Sequence, residues 1–337
     1  MKAIVLTSYK KPLAVSDVAE PVVGPHDVLV EVRAAGLNQL DEKLRAGEFK
    51  QLVPLELPAV LGHDVAGVVV EVGSQVRSFA AGDPVYGRVR DGRIGTFAQR
   101  IAADENDLTP IPDGLTMVEA ASLPLVALTA WQALVVRAQV RPGQKVLIHA
   151  GAGGVGSLAI QLAKHLGATV ATTASAANAE FVASLGADVV IDYRSDDFEQ
   201  QLTGYDVVLD SVGGENVMKS LRILRPGGRA IGIAGPPDPA FARQLGLNPV
   251  LRAGIGAISR GVRHAARTAG VEYSFLWMSA SGVQLREISA LVESGAIRPV
   301  VGRVVPFDEI PEALAGLGTN GARGKIVASM PSDIAGA

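Results

Sequence analysis

The chain has 337 residues, of which 48% are hydrophobic and 19% charged. This composition is typical of a globular protein with room for two hydrophobic cores. A formal net charge of −3 provides no overall positive field to hold nucleic acid or an anionic membrane. The sequence contains no cysteine, which excludes disulfides, thiolate metal sites and thiol nucleophiles. Catalysis must therefore depend on oxygen or nitrogen side chains, on the backbone or on a bound cofactor.

The first third of the chain carries short strand patterns separated by glycine. Alternating or β-branched runs predict strands at residues 1–6, 28–33, 65–72, 82–87 and 95–98. Together they indicate a compact β-rich domain.

Two segments bear on location. Residues 1–6 lack the long apolar stretch of a secretory signal. The apolar run 120–136 contains Pro124 and Gln132 and falls short of about 20 clean apolar residues, so it is predicted as a buried helix and not a membrane span. A cytoplasmic protein without an integral membrane segment is expected.

From about residue 125 strands alternate with helices. Strands are predicted at 145–150, 169–173, 189–191, 207–209 and 229–233, with helices at 155–166, 179–185 and 215–224 between them. Repeated units of this length indicate a doubly wound parallel sheet over residues 125–272. The tail, 273–337, contains two further helices and two strands, too little for a separate domain. We expect it to complete the β-rich domain of residues 1–124.

A glycine-rich turn, residues 149–156, separates a predicted strand from a predicted helix. Gly151 and Gly153 allow a tight turn and close approach of a pyrophosphate, and Gly156 allows the helix to pack on the strand. The start of the helix offers free N–H groups to the phosphates. With a second strand at 169–173, the pattern predicts a dinucleotide site.

The end of the second strand indicates which dinucleotide. An NAD site needs an acid there to accept hydrogen bonds from the ribose 2′-hydroxyl. This chain has no carboxylate before Glu180, while Ser175 and Asn178 can donate hydrogen bonds and Arg194 can add charge from the next strand. NADPH is therefore the predicted cofactor. That these polar residues also cap the following helix is compatible with this prediction.

Residues 243–267 contain five arginines and no acid, and apolar residues recur every three or four positions from Leu247 to Val262. One interpretation is a mobile helix that covers a substrate or meets a membrane surface. The other, which we favour, is a solvated basic helix packed on the sheet domain or at a dimer contact.

These motifs together resemble a known family. The segments AGLNQLDEK (35–43), GHD (62–64), GDPVYG (82–87), LTAW (128–131), GAGGVG (151–156), IDY (191–193) and RGKIV (323–327) occur in the order seen in medium-chain dehydrogenases/reductases. The chain resembles the zinc-independent quinone oxidoreductase branch, and within it the plant alkenal/enone reductases and the chloroplast-envelope quinone oxidoreductase homologues. The resemblance implies a GroES-like catalytic domain built from both chain ends and a Rossmann domain between them.

The departures from zinc alcohol dehydrogenases concern the metal. Asn38 stands where those enzymes have a cysteine ligand, and Asp64 where they have a glutamate. His63 alone cannot hold zinc in a catalytic site of three protein ligands. We therefore expect no metal, with His63 as a structural, hydrogen-bonded histidine.

The resemblance also assigns individual residues. Lys43 and Asn38 are the candidates to stabilise negative charge on the substrate oxygen, and the lysine matching Lys43 contacts the cofactor ribose. The remaining cofactor contacts that it implies, together with the turn glycine derived above, are Thr129, Gly153, Gly154, Val155, Ser175, Asn178, Tyr193, Ile231, Phe275, Leu276 and Arg323, with Lys325 as an alternative to Arg323.

The predicted activity is transfer of hydride from NADPH to a quinone or to the C=C bond of an α,β-unsaturated carbonyl. The alternatives are an enoyl-thioester reductase and a non-catalytic NADPH-binding sensor or structural protein. The resemblance further implies a small-molecule substrate and a homodimer.

Overall fold

The computed structural model describes residues 1–318 and 323–330. The chain divides into two compact units. Unit 1 comprises Met1–Leu128 and Ser279–Ala337, and unit 2 comprises Thr129–Met278.

The described residues form strands and helices in the following order. The strands are β1 (Lys2–Leu6), β2 (Ala14–Asp17), β3 (Asp27–Gly36), β4 (Ala59–Val60), β5 (Asp64–Val72), β6 (Pro84–Arg88), β7 (Arg100–Asp104), β8 (Leu108–Pro110), β9 (Lys145–Ile148), β10 (Thr169–Ala174), β11 (Val189–Asp192), β12 (Tyr205–Asp210), β13 (Leu224–Gly232), β14 (Glu272–Phe275), β15 (Val301–Pro306) and β16 (Lys325–Ser329). The helices are α1 (Gln39–Ala46), α2 (Met117–Ala121), α3 (Pro124–Trp131), α4 (Gly154–His165), α5 (Ala179–Ser184), α6 (Phe198–Gln201), α7 (Glu215–Ile223), α8 (Pro239–Gln244), α9 (Pro249–Ile258), α10 (Arg260–Thr268), α11 (Gly282–Glu293) and α12 (Ile310–Ala315).

Unit 1 is the β-rich part of the protein. Its larger sheet has the order β15-β16-β3-β5-β6-β8, with β7 also paired to β3, and a smaller sheet has the order β2-β1-β4. The central strand β3 buries Val28, Val30 and Val32 in the main apolar core of the unit. Burial of one set of alternating side chains fixes the register of such a strand.

The C-terminal tail completes this sheet. Strand β16 pairs antiparallel with β3, placing Ala328 opposite Ala35. Helix α11 is held by Tyr86, whose hydroxyl lies 2.8 Å from Ser289 Oγ. At Gly282, a Cβ would lie 2.2 Å from the Leu108 carbonyl oxygen, so only glycine permits the helix to start so close to β8.

Unit 2 contains a six-stranded parallel sheet with the order β11-β10-β9-β12-β13-β14. Counted within the unit this is the order 3-2-1-4-5-6, and the direction of winding changes between β9 and β12. Dinucleotides bind at the carboxyl ends of the strands at such a switch point. The predicted combination of a GroES-like β-rich domain and a doubly wound Rossmann domain is confirmed.

The apolar run 120–136 forms helical structure, as predicted. It contains the end of α2, all of α3 and most of a π-helical turn, Gln132–Arg137. Most of these side chains are buried, although Val136 is 50% exposed. Within residues 1–318 and 323–330, no helix is both long enough and apolar enough to cross a membrane.

Two sequence predictions are corrected. Residues 95–98 do not form a strand, because the N–H groups of residues 95–97 donate to the carbonyls of Gly62 and Leu61 and only Ala98 forms a bridge, to Ala3. The apolar pattern from Leu247 to Val262 is divided between two helices, α9 and α10. Ser259 lies at the break, where its hydroxyl donates to the Ile255 carbonyl.

Helix α10 packs Ala266 and Val262 on the core of unit 2. Arg260, Arg263 and Arg267 follow each other at helical spacing on its other side. The structure thus gives α10 one packed face and one basic face.

Candidate active site

The predicted dinucleotide turn lies between β9 and α4. A Cβ at Gly151 would lie 2.1 Å from Thr172 Oγ1, and one at Gly156 would lie 2.3 Å from the Ala150 carbonyl oxygen, so neither position accepts a side chain. Gly153 caps the N-terminus of α4, and Gly154 and Val155 form its first turn. The N–H groups of a first helical turn have no partner inside the helix and carry the positive end of its dipole. The turn can therefore hold a pyrophosphate.

A buried histidine lies at the start of this turn, directly after β9. His149 is 2% exposed, with Nδ1 3.2 Å from Thr173 Oγ1 and Nε2 3.1 Å from Ser220 Oγ. Burial lowers the pKa of His149, and the negative charge of Asp210 partly opposes this shift. A neutral imidazole at the end of β9 thus connects this strand with Thr173 of β10 and Ser220 of α7. Sequence reasoning missed this contact because its partners are 24 and 71 residues away.

The candidate 2′-phosphate site lies at the adjoining ends of β10 and β11. Ser175 follows β10 and is 9% exposed, whereas Tyr193 follows β11 and is 59% exposed. The two strand ends are in register, with Ala174 opposite Asp192. The Arg194 guanidinium carbon lies 5.8 Å from the centroid of the Tyr193 ring. These segments bring a hydroxyl, an aromatic face and a cation to one edge of the sheet.

Two carboxylates, those of Asp192 and Glu180, lie near these strand ends in the sequence. Asp192 Oδ1 accepts a hydrogen bond from the backbone N–H of Arg194 at 3.0 Å. Glu180 is exposed in the first turn of α5, after the half-buried Asn178.

Other predicted cofactor residues of unit 2 are buried. Thr129 is 4% exposed in α3, and Ile231 is 1% exposed near the carboxyl end of β13. Phe275 is the last residue of β14 and Leu276 follows it, and they are 6% and 5% exposed. The Phe275 carbonyl accepts a hydrogen bond from Arg137 at 2.6 Å.

Unit 1 contains a buried polar network at the junction of β3 and α1. The side chains of Asn38, Asp64 and Lys325 are each at most 6% exposed. Asn38 Nδ2 donates to Asp64 Oδ2 at 2.9 Å, and Lys325 Nζ lies 3.1 Å from the same oxygen. Lys325 also donates to Asn38 Oδ1 and, at 2.8 Å, to the Leu37 carbonyl. Lys325 is thus an internal cation, and its ammonium is not available to a nucleotide.

A second pair of buried groups lies beside this network. His63 Nδ1 is 2.6 Å from Asp41 Oδ1, and both side chains are at most 1% exposed. Asp41 Oδ2 accepts the backbone N–H of Asn38 at 3.0 Å. His63 is therefore hydrogen-bonded and fixes the first turn of α1, as expected of a structural histidine.

Lys43 lies on the same helix, five residues after Asn38, and is half-buried. Within the part of the chain that the structure describes, its ammonium makes no hydrogen bond or ion pair. The side chain of Asn38, by contrast, is fully hydrogen-bonded: its Oδ1 accepts from Lys325, and its Nδ2 donates to Asp64 and to the Gly36 carbonyl.

Arg323, the last predicted cofactor contact, is exposed just before β16.

The donor set of unit 1 does not fit a catalytic zinc ion. Zinc in enzymes takes three protein ligands from thiolate, imidazole and carboxylate groups. In residues 1–318 and 323–330, no three histidine or acidic side chains are grouped to hold a metal ion. Asn38, which by the family resemblance stands at the position of a cysteine ligand, offers an amide instead of a thiolate, and its Nδ2 and the Lys325 ammonium both contact Asp64 Oδ2.

Comparison with known proteins identifies the class. Residues 24–113 match the alcohol dehydrogenase GroES-like domain, and residues 185–327 match the family described as zinc-binding dehydrogenase. A mitochondrial NAD(P)H oxidoreductase, RTN4IP1 of Mus musculus, is 36% identical over 91% of this chain and 82% of its own. The chloroplastic NADPH-dependent alkenal/one oxidoreductase of Arabidopsis thaliana is also 36% identical, over 93% and 74% of the two chains.

A solved structure agrees with these relatives. The quinone oxidoreductase of Coxiella burnetii superposes with a TM-score of 0.85 at 33% identity, covering 98% of this chain and 99% of that one. The two domains and the site thus define an oxidoreductase with a dinucleotide-binding Rossmann domain. The chain belongs to the medium-chain dehydrogenase/reductase superfamily, which confirms the family predicted from its motifs.

Proposed function

We propose that this protein is an NADPH-dependent, zinc-independent reductase of quinones or of the C=C bond of α,β-unsaturated carbonyl compounds. The observation that carries the proposal is the unpartnered ammonium of Lys43 on α1, the helix whose N-cap residue Asn38 belongs to a polar network with its groups already paired. Relatives named as an NADPH-dependent alkenal/one oxidoreductase and a quinone oxidoreductase support the same reaction class.

The cofactor is held by unit 2. The N–H groups of Gly154 and Val155 would bind the pyrophosphate, and Ser175 and Arg194 would bind the 2′-phosphate, with the Tyr193 ring beside them. Asn178 is a further donor at this edge. When bound, NADPH supplies the hydride.

Lys43 supplies the electrostatic part of the reaction. Addition of hydride to an enone or quinone places negative charge on the carbonyl oxygen, and a cationic donor near that oxygen lowers the barrier. Lys43 carries a cationic donor of α1 that is free to bind the substrate oxygen, whereas Asn38 orients the start of the helix. The balancing proton at carbon or at the second quinone oxygen comes from water.

The zinc-independent mechanism rests on the same groups. With Lys43 as the electrophilic group, no Lewis acid is needed to stabilise the developing oxyanion. A homodimer and a cytoplasmic location are further parts of the proposal that follow from the family resemblance and from the sequence.

The role of Lys43 is tested by Lys43→Met and Lys43→Arg. We expect Lys43→Met to lower kcat for a 2-alkenal by about 100-fold, as loss of one oxyanion donor does in other enzymes, and Lys43→Arg to retain more activity. Lys50→Met, which removes an exposed lysine after the same helix, serves as the control. Unchanged kcat in Lys43→Met would refute the role of this ammonium.

A further inference from the structure

Lys325 is buried in unit 1 with every donor of its ammonium used. Its three acceptors are the Leu37 carbonyl, Asn38 Oδ1 and Asp64 Oδ2. A buried lysine is stable as a cation only if nearby acceptors and an opposite charge replace its lost hydration. These three groups provide that replacement, and two of them belong to the last residues before helix α1.

The ammonium therefore ties the end of the chain to the start of α1. Lys325 begins β16, whereas Leu37 and Asn38 connect β3 to α1. Asn38 is fixed from both ends of its amide, since Oδ1 accepts from Lys325 and Nδ2 donates to Asp64. The separation of 287 residues means that no local interaction could produce this contact.

Helix α1 depends on such contacts for its position. It has only eight residues, and helices this short are marginal without tertiary interactions. Its first turn is held by the network of Asn38 and by the Asp41–His63 pair. Lys43, one turn further on, has no partner of its own among the described residues. The location of its ammonium is therefore set by the backbone of α1.

We propose that Lys325 is a positioning residue for the reduction. Through Asn38 and the Leu37 carbonyl it fixes the start of α1, and thereby the point from which Lys43 reaches the substrate oxygen. It also pairs with the buried carboxylate of Asp64, which would otherwise be an uncompensated charge beside Asn38. The proposal rests on the proposed function, because it acts through Lys43.

A double-mutant cycle separates positioning from a merely structural role. The variants are Lys325→Met, Lys43→Met and the double variant, and kcat and KM for a 2-alkenal are measured on protein whose folded fraction is known from circular dichroism. We expect Lys325→Met to lower kcat by about 10- to 100-fold, the loss that follows small misplacement of a reacting group. The double variant is expected to be no slower than the slower single variant.

Two further variants keep the test valid if Lys325→Met folds poorly. Lys325→Met combined with Asp64→Asn removes both charges of the buried pair, so this double variant should fold. Its kcat should stay low, because the Leu37 carbonyl and Asn38 Oδ1 still lack the ammonium donor. Lys325→Arg should recover part of kcat. Lys2→Met, which removes an exposed lysine of the same unit paired with Asp17, should have wild-type kcat.

The outcomes distinguish the two proposals. If Lys43→Met lowers kcat but the losses multiply in the double variant, Lys325 does not act through Lys43 and the positioning proposal is wrong, while the proposed function stands. Wild-type kcat in Lys325→Met or in the neutral pair variant would overturn it as well. Wild-type kcat in Lys43→Met would overturn both.

Discussion

Arg194 offers a direct test of the preference for NADPH. The side chain is exposed, lies over the Tyr193 ring and makes no ion pair with any other described residue. A hydrogen bond between charged groups contributes about 1.5–3 kcal/mol, with the lower end applying to an exposed group. Because about 1.4 kcal/mol corresponds to a tenfold change in affinity, Arg194→Gln should raise the Kd of NADPH about tenfold and leave that of NADH unchanged.

The measurement is a titration of each coenzyme at fixed ionic strength. Arg222→Gln is the matched control, because Arg222 is an exposed arginine of the same unit that is paired with Glu199. The effect of Arg194→Gln should shrink as salt screens the charge. Equal losses for NADPH and NADH, or no loss for either, would show that the 2′-phosphate does not lie at the ends of β10 and β11.

Three further predictions concern selectivity and stability. Ser175→Asp should weaken NADPH binding at least about tenfold and spare NADH, because the new carboxylate repels the 2′-phosphate; unchanged affinities would exclude this placement. The Arg93 guanidinium holds the pKa of Asp27 below its usual value, so Asp27→Asn should lower the free energy of unfolding by about 2 kcal/mol at pH 7. Chemical denaturation at several pH values should show this difference begin to decline near pH ~4, where Asp27 of the unfolded chain takes up its proton, and disappear only below the lowered pKa of the folded state. Burial raises the pKa of Tyr86 to about 12, so its hydroxyl stays protonated at neutral pH. Tyr86→Phe removes the hydrogen bond to Ser289 and should lower the free energy of unfolding by about 1 kcal/mol. An unchanged free energy of unfolding in urea denaturation would contradict this contact.

The sequence predicted the features that depend on local patterns. Alternation located β3, and the glycine turn with its flanking strand and helix located the β9–α4 junction. The strand predicted at residues 95–98 was wrong, because these residues form a loop whose N–H groups donate to the carbonyls of Gly62 and Leu61. The sequence did not reveal that the helix is interrupted at Ser259, because apolar residues recur every three or four positions on both sides of it, in α9 and in α10.

The network of unit 1 could be predicted only in part. The motifs around Asn38 and His63 indicated the region and the absence of a thiolate, but they carry no information about a lysine 287 residues away. The family resemblance implied Lys325 as an alternative nucleotide contact, whereas the structure buries its ammonium. Only the pairing of β16 with β3 brings its ammonium to Asp64.

The central claim is a metal-free reduction by NADPH, and the most direct measurement is NADPH oxidation by EDTA-treated protein with a 2-alkenal and a quinone tested side by side. We expect turnover that survives the chelator and yields a saturated aldehyde or a hydroquinone. Loss of turnover on chelation, with recovery on addition of Zn²⁺, would contradict the account.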